Sequence, residues 1–266
     1  MAPMNNRLLR PTTGLDPDAA TYLAAVEAAD GEPLEPAVRT AISTFFSRIK
    51  ADGLFDSIKA SCILCGARTI TGALVPLAGA APTPEGGWAS GDYSRTAGLT
   101  GDGAALYLDS NFAANSTDDD DHHAAVYVAV GDAGTHIDIG YTTATSYSQI
   151  FANASNNLIF YYLGRNSSIY PPSGIGKGNT TGLIGLTANS SDSFGFRFNQ
   201  TTGIATASAT QSLESLNYFV FARNDSGTPG VFSESKLAFY SIGTSVDLEA
   251  LDTAVSNLIS DIGNAL

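Results

Sequence analysis

The spacing of hydrophobic and polar positions changes twice along the 266-residue chain, near Ser61 and again near Ser245. Before the first change the spacing is helical. Asp16 precedes Pro17, a capping carboxylate followed by proline in the first turn. Tyr22, Leu23 and Val26 lie on one side of an Ala-rich stretch that Asp30-Gly31 ends. Glu35-Pro36 opens a second helix, with Val38, Ile42, Phe45 and Ile49 on one face and a stop at Asp52-Gly53. Leu54 to Lys59 reads as a third helical turn with Phe55 and Ile58 inward. Apolar stripes this thin cannot form a core alone, so the helices are expected to pack on the rest of the chain or on a neighbouring subunit. Residues 1–14 have no period and read as an extended arm.

From Cys62 the pattern is that of short strands separated by turn residues. Arg68 to Thr71 and Ala73 to Val75 read as strands, followed by a Gly/Pro-rich loop through Trp88. Leu106 to Leu108, Ala124 to Val130, Thr135 to Tyr141, Leu158 to Leu163, Leu183 to Leu186 and Phe194 to Phe198 continue the series. Ile204 to Thr210, Tyr218 to Ala222 and Leu237 to Ile242 complete it. Leu248, Leu251, Val255, Leu258 and Ile262 then recur every three or four residues, a closing amphipathic helix. The chain therefore divides into an arm and helical attachment region (1–61), a mainly β sandwich (62–246) and a C-terminal helix packed on it (247–266).

Charge narrows the partners. With 13 basic against 26 acidic residues the net charge is −13 and the basic residues do not cluster, which argues against nucleic acid. No run of about twenty apolar residues is present, so no membrane insertion is expected. The first residues lack the apolar core of a secretory signal, so synthesis in the cytoplasm without export by that route is expected. Cys62 and Cys65 form a lone C-x-x-C; with Ile63 and Leu64 between them, they read as two buried free thiols.

Four stretches resemble known architectures. Leu99-Thr100-Gly101-Asp102-Gly103-Ala104-Ala105-Leu106-Tyr107-Leu108 is similar to the opening of laminin-G or concanavalin-A-like jelly rolls, where a Gly/Asp turn leads into an aromatic-bearing strand. Asn217 to Asn224 is similar to a later strand of those domains with its polar loop. Phe232 through Gly243, followed by the helix Leu248 to Ile262, resembles the C-terminal modules of virion structural proteins from tailed bacteriophages. The helical lead, Tyr22 to Glu27 through Ala60 to Leu64, resembles the segment before the jelly roll in such proteins. The resemblance implies a concanavalin-A-like jelly-roll sandwich and a virion component. Jelly rolls serve sugar binding, capsid decoration and plain assembly alike, so the function stays open at this point.

Candidate chemistry is sparse. Trp88, Tyr93, Tyr147 and Tyr170, placed in loops, could stack on the apolar face of a sugar while nearby Asn and Asp take its hydroxyls. The competing reading has these rings covering sandwich edges or a subunit interface. Asp118, Asp119, Asp120 and Asp121, followed by His122 and His123, offer hard oxygen ligands, and calcium is the ion they suit. They lack EF-hand spacing, and four adjacent Asp cannot all face one ion, so a solvated acidic loop competes with the metal reading. No other cofactor is implied. Gly174 to Gly178 fails as a phosphate loop because Gly178 follows Lys177 where Ser or Thr is needed. No glutamate of the β body lies in a strand with an acidic partner at alternating spacing. No G-x-S-x-G turn occurs, and the histidines are His122, His123 and His136, so no enzyme is expected. The expectation is a tail fibre, spike or baseplate adhesin in the virion, meeting a host-surface glycan. It would be bound to other virion proteins through residues 1–61 and oligomeric, with a trimer the usual solution. A capsid decoration protein is the alternative.

Overall fold

A computed structural model describes residues 15–153, 158–163, 181–191, 193–198, 200–206 and 212–266. Asp16 caps α1 (Pro17–Asp30) by accepting the backbone N–H groups of Asp18 and Ala19, and Gly31 ends it in the left-handed conformation at φ 75°. α2 (Pro36–Ala51) follows. Glu35 precedes it without capping its N–H groups; its carboxylate instead receives both Nη atoms of Arg95 at 3.0 and 2.6 Å. That pair holds Glu35 down at about 2, chiefly through the Arg95 hydrogen bonds.

The strands run, in chain order, β1 (Ile58–Ile63), β2 (Pro76–Ala78), β3 (Thr83–Glu85), β4 (Tyr93–Ser94), β5 (Gly98–Thr100), β6 (Tyr107–Ala113) and β7 (His122–Val130). After them come β8 (His136–Thr142), β9 (Tyr147–Asn153), β10 (Leu158–Leu163), β11 (Gly182–Ala188), β12 (Ser193–Phe198) and β13 (Thr201–Thr206). β14 (Asn217–Val220), β15 (Arg223–Asp225), β16 (Thr228–Gly230) and β17 (Lys236–Gly243) complete the sandwich. A short α3 (Ile70–Ala73) sits between β1 and β2, and α4 (Leu248–Ala265) closes the chain. The first sheet has the order β13-β12-β11-β7-β17-β1-β2, with β4 and β5 beside β17; the second has the order β10-β9-β8-β14-β6-β3, with β15 on β8 and β16 on β15.

The boundary near Ser61 falls later than the structural one. The third helical turn is shorter than expected: a 3₁₀ turn at Phe55–Ser57 passes directly into β1 at Ile58, which pairs with β17. Burial of Ile58, Ala60 and Cys62 draws this segment into the sheet. The strands expected at Arg68 to Thr71 and Ala73 to Val75 are absent. Thr69 Oγ1 accepts the Gly72 N–H and caps α3 there, and Asp30 accepts the N–H groups of Arg68 and Thr69. These side chain–backbone bonds satisfy the segment locally and leave no ladder for it to join.

Two cores explain the sequence pattern. Between the sheets lie Leu108, Val126, Ile139, Tyr141, Ile150, Phe194, Tyr218, Val220 and Tyr240. Outside the first sheet, Phe239, Ala125, Leu183 and Ile63 meet Leu23 of α1, Phe45 and Ile49 of α2, and Leu251, Val255 and Leu258 of α4. A sheet covered on both faces needs near-continuous apolar strands. That is why β7 reads His-His-Ala-Ala-Val-Tyr-Val-Ala-Val with no polar alternation. The buried pair Arg197–Asp252, at 2.8 Å, ties α4 to β12. Among the described residues no helix lies on the outer face of the second sheet.

Candidate functional site

Helices cover the first sheet; the outer face of the second sheet carries none among the described residues, and Gly140, Thr142, Gln149 and Phe219 on it are nonetheless buried. Residues directly opposite in a ladder share a face, so the register assigns its occupants. Gln149 faces Gly140, Gly140 faces Phe219, Phe219 faces Asp109, and Asp109 faces Thr83. The neighbouring row, Ile150, Ile139, Val220 and Leu108, points into the core, which confirms the sides.

One end of the outer row is closed and satisfied. The rings of Tyr107 and Phe219 stack with centroids 4.6 Å apart, and Phe232 lies 6.3 Å from Tyr107. Asp109 Oδ1 accepts from Asn217 Nδ2 at 2.9 Å and from the Asn111 N–H at 2.8 Å. Asn111, at φ 54°, directs its own amide to Ala81 O and Thr83 Oγ1.

The other end is not satisfied. Gly140 leaves room for the Gln149 side chain to lie close across the strand; a Cβ there would stand 2.4 Å from Gln149 Cβ. Gln149 is 6% exposed, and its Oε1 has no hydrogen-bond partner among the described residues. On the far side of Gly140, β14 ends and β15 begins: Asn224 registers with Tyr141 and Asp225 with Thr142 in parallel. Tyr141 is in the core, so Thr142 and Asp225 share the outer face, and Arg223 joins them, its Nη2 donating to Asp225 Oδ2 at 2.9 Å. Arg223 Nε is buried and is also without a partner. Buried polar side-chain atoms are nearly always paired in folded proteins, so an acceptor and a donor left unpaired on one face are exceptions that call for an explanation.

Of the four aromatic candidates, Tyr147 belongs to this face. It is not in a loop but opens β9, opposite Thr142 and two residues before Gln149. Tyr93 lies in β4 and donates its hydroxyl to Ala67 O at 2.7 Å, packed against both cores. Trp88 packs edge-on to Phe221, donates Nε1 to Tyr107 O at 3.2 Å and walls a groove of about 530 Å³ with Pro76, Pro82, Pro84 and Leu74. It covers the open sandwich edge beside β2 and β3, and prolines in both strands discourage strand addition there. Tyr170 and the Gly174 to Gly178 loop lie outside the described residues.

The four aspartates do not converge. Asp119 Oδ1 accepts the Leu213 N–H, and Asp121 Oδ1 accepts both the N–H and the hydroxyl of Ser245. The Asp121 N–H returns to Asp118 O, closing a tight turn. Among the described residues no three His, Cys, Asp or Glu side chains gather closely enough to hold a metal. The loop fastens β7 to the start of α4. Beside it His123, fully buried, is bonded through Nδ1 to Thr244 O and through Nε2 to Ser241 Oγ, and burial holds its pKa down at about 4.

Sequence reasoning missed a second histidine cluster. His136 Nδ1 faces Asp132 Oδ2 at 3.1 Å, and its Nε2 faces Ser235 Oγ at 3.4 Å and Asp138 Oδ2 at 3.5 Å. The order Asp132, His136, Ser235 has the atom sense of a hydrolase triad. However, Ser235 is 0% exposed, its Oγ also accepts the Asp132 N–H, and a second carboxylate competes for Nε2. The arrangement is a structural clamp. Together with Ser233 Oγ, which donates to Asp138 Oδ1 at 2.7 Å, it holds the segment that leads from the β15–β16 hairpin into β17. Gln149, Arg223 and Asp225 were missed as well. The available signal was the alternation Tyr147-Ser148-Gln149 and the Arg-x-Asp spacing before the Ser226-Gly227 turn. Both are common patterns and neither points to a ligand without the fold.

Cys62 and Cys65 are buried and free, as expected, and burial pushes both thiols up to about 12. No helix among the described residues is long and apolar enough to cross a membrane.

No family model matches the sequence, and no curated protein matches it. Solved structures do. The binding domain of botulinum neurotoxin serotype D aligns over 76% of this chain and 52% of that one, with 12% identity and a TM-score of 0.50. The CBM40 of the Ruminococcus gnavus IT-sialidase, bound to α2,3-sialyllactose, aligns over 51% of this chain and 82% of its own, with 8% identity and a TM-score of 0.40. The NanB sialidase of Streptococcus pneumoniae aligns over 50% of this chain at 12% identity and a TM-score of 0.39, and the match spans only 24% of that enzyme. At these identities the likeness is one of fold: a mainly β, two-sheet jelly-roll sandwich with helices before and after it.

Proposed function

We propose that this chain is a non-catalytic glycan-binding module, and that the outer face of the second sheet is its binding surface. The observation that carries the reading is the pair of buried, unpartnered polar atoms, Gln149 Oε1 and Arg223 Nε, on either side of Gly140. A sugar hydroxyl pair can donate to one and accept from the other, and Tyr147 on the same face supplies an aromatic neighbour. The absence of an accessible nucleophile in the His136 cluster favours recognition over hydrolysis. The likeness of the fold to carbohydrate-binding modules is in keeping with this.

The biological setting follows from the sequence resemblance to tailed-phage virion proteins: an adhesin of the tail fibre, spike or baseplate that meets a host-surface glycan. Binding to an immobilised panel of bacterial surface glycans tests the molecular half of this reading. Retention of a member of the panel, lost in Gln149→Leu, is the expected result, and no retention by a folded protein would overturn it. Tracing the chain in intact particles by cryo-electron microscopy tests the setting. Density at the tail supports the adhesin, and density spread over the shell supports the decoration protein instead.

A further inference from the structure

We infer that two copies of this chain join edge to edge through β13, which pairs with its own counterpart about a two-fold axis and carries the first sheet from one copy into the other. The inference is independent of the glycan-binding reading above. Its basis is how the ends of the two sheets differ.

A strand at a sheet edge offers unpaired N–H and C=O groups to any other strand, and proteins guard such edges with proline, charge, bulges or short length. β2 and β3, which end the two sheets on one side, are three residues long and hold Pro76 and Pro84, with Glu85 next to the second. The other side lacks these guards. β13 ends the first sheet there, reading Thr-Thr-Gly-Ile-Ala-Thr, and β10 ends the second, reading Leu-Ile-Phe-Tyr-Tyr-Leu. Neither strand contains a proline or a charge. Among the described residues β13 pairs with β12 alone, and the ladder between them has no bulge.

β13 is the stronger template of the two because its path is fixed. Thr202 Oγ1 accepts from Arg197 Nη1 at 2.7 Å, and Arg197 is itself held by Asp252 of α4. Phe196 lies against Gly203, where a Cβ would stand 2.3 Å from Phe196 Cζ, so the ring takes the place of the missing side chain and keeps the glycine in the ladder. Ile204, opposite Gly195, is the most exposed large apolar side chain among the described residues, at 80%. A second copy fits this edge by charge. Two chains of net −13 repel wherever their acidic surfaces meet, and β13 brings only Thr, Gly, Ile and Ala to the seam. Identical strands related by a two-fold pair antiparallel, which covers each Ile204 with the strand of the other copy. The pairing uses the open edge of both copies, so assembly stops at two.

The test is sedimentation equilibrium of the full chain over a concentration series, with hydrogen exchange of the β13 amides followed at each concentration. Wild type is expected to reach twice the mass of one chain, and the β13 amides to exchange more slowly as the dimer forms. Ile204→Lys sets a charge from each copy at the seam and weakens the dimer about tenfold or more, although it lowers the net negative charge. Ile204→Val keeps the dimer, and Glu85→Lys, on the guarded side, leaves it unchanged. Thermal melts show that each variant is folded. A monomer at every concentration overturns the inference, and so does a trimer. A dimer that persists in folded Ile204→Lys overturns it as well. If Ile204→Lys does not fold, wild type alone decides: a dimer whose β13 amides exchange as fast as the monomer's has its interface elsewhere.

Discussion

His136 is held between carboxylates, with Nδ1 3.1 Å from Asp132 Oδ2 and the opposite ring nitrogen turned toward Asp138. Burial alone would lower its pKa, but Asp138 and then Asp132 outweigh burial and hold it above 6.5. In return His136, aided by the Ser233 and Ser235 hydroxyls, overcomes burial at Asp138 and holds that carboxyl below 3.8.

A pH window follows. The His136 contribution to stability is fully present below the unfolded value of 6.5 and is lost as pH rises through the raised folded value. The Asp138 contribution is present above 3.8 and is lost as pH falls through the lowered folded value. Thermal melts should show wild type losing stability on the alkaline side. His136→Gln should melt lower near neutrality and show a flatter alkaline limb. Parallel curves for the two proteins would remove the clamp from the account.

His123 should behave in the opposite sense. Its ring stays neutral in the fold down to about 4 but takes a proton near 6.5 when unfolded, so acidification between these values destabilises the protein. The difference is worth on the order of 3 kcal/mol by the acid end of that interval. Histidine ring signals in NMR titrations separate the two residues, one moving near 4 and the other above 6.5.

The Arg197–Asp252 pair should be costly to break. Both side chains are more than nine-tenths buried, and Asp252 also accepts from Ser256 while Arg197 donates to Thr202. Asp252→Ala leaves a buried guanidinium without its counter-charge and should cost about 3–5 kcal/mol in denaturant unfolding. The double substitution Arg197→Met with Asp252→Leu should recover much of that loss.

Trp88→Ala is expected to lower stability by about 2 kcal/mol through the lost Phe221 contact and the bond to Tyr107 O. It should leave glycan affinity unchanged, because Trp88 lies at the sandwich edge and not on the Gln149–Gly140–Phe219 row. Affinity measured on the folded variant decides the point.

The fold was more legible in the sequence than the site was. Asp16-Pro17 and Asp30-Gly31 delimit α1 because capping and left-handed termination are local chemistry. The Leu248 to Ile262 stripe gives α4 because one face is buried and the other is not. Strand β1 was hidden because the 3₁₀ turn at Phe55–Ser57 runs straight into it, so the helical reading was carried through Ile58 and Lys59. β9 was missed because Tyr147, Ser148 and Gln149 are polar positions that read as loop. The acidic run at Asp118 to Asp121 stands out in the sequence, but Asp119 and Asp121 are spent on backbone N–H groups and the Ser245 hydroxyl. The open atoms of Gln149 and Arg223 come from segments more than seventy residues apart, and only the register of β8 brings them to one face.

The most direct test is a crystal structure of the full chain with an oligosaccharide retained from the glycan panel. The account predicts the sugar on the outer face of the second sheet, with one hydroxyl donating to Gln149 Oε1 and another accepting from Arg223 Nε. A sugar seated instead in the groove beside Trp88, with Gln149 and Arg223 unchanged, would contradict it.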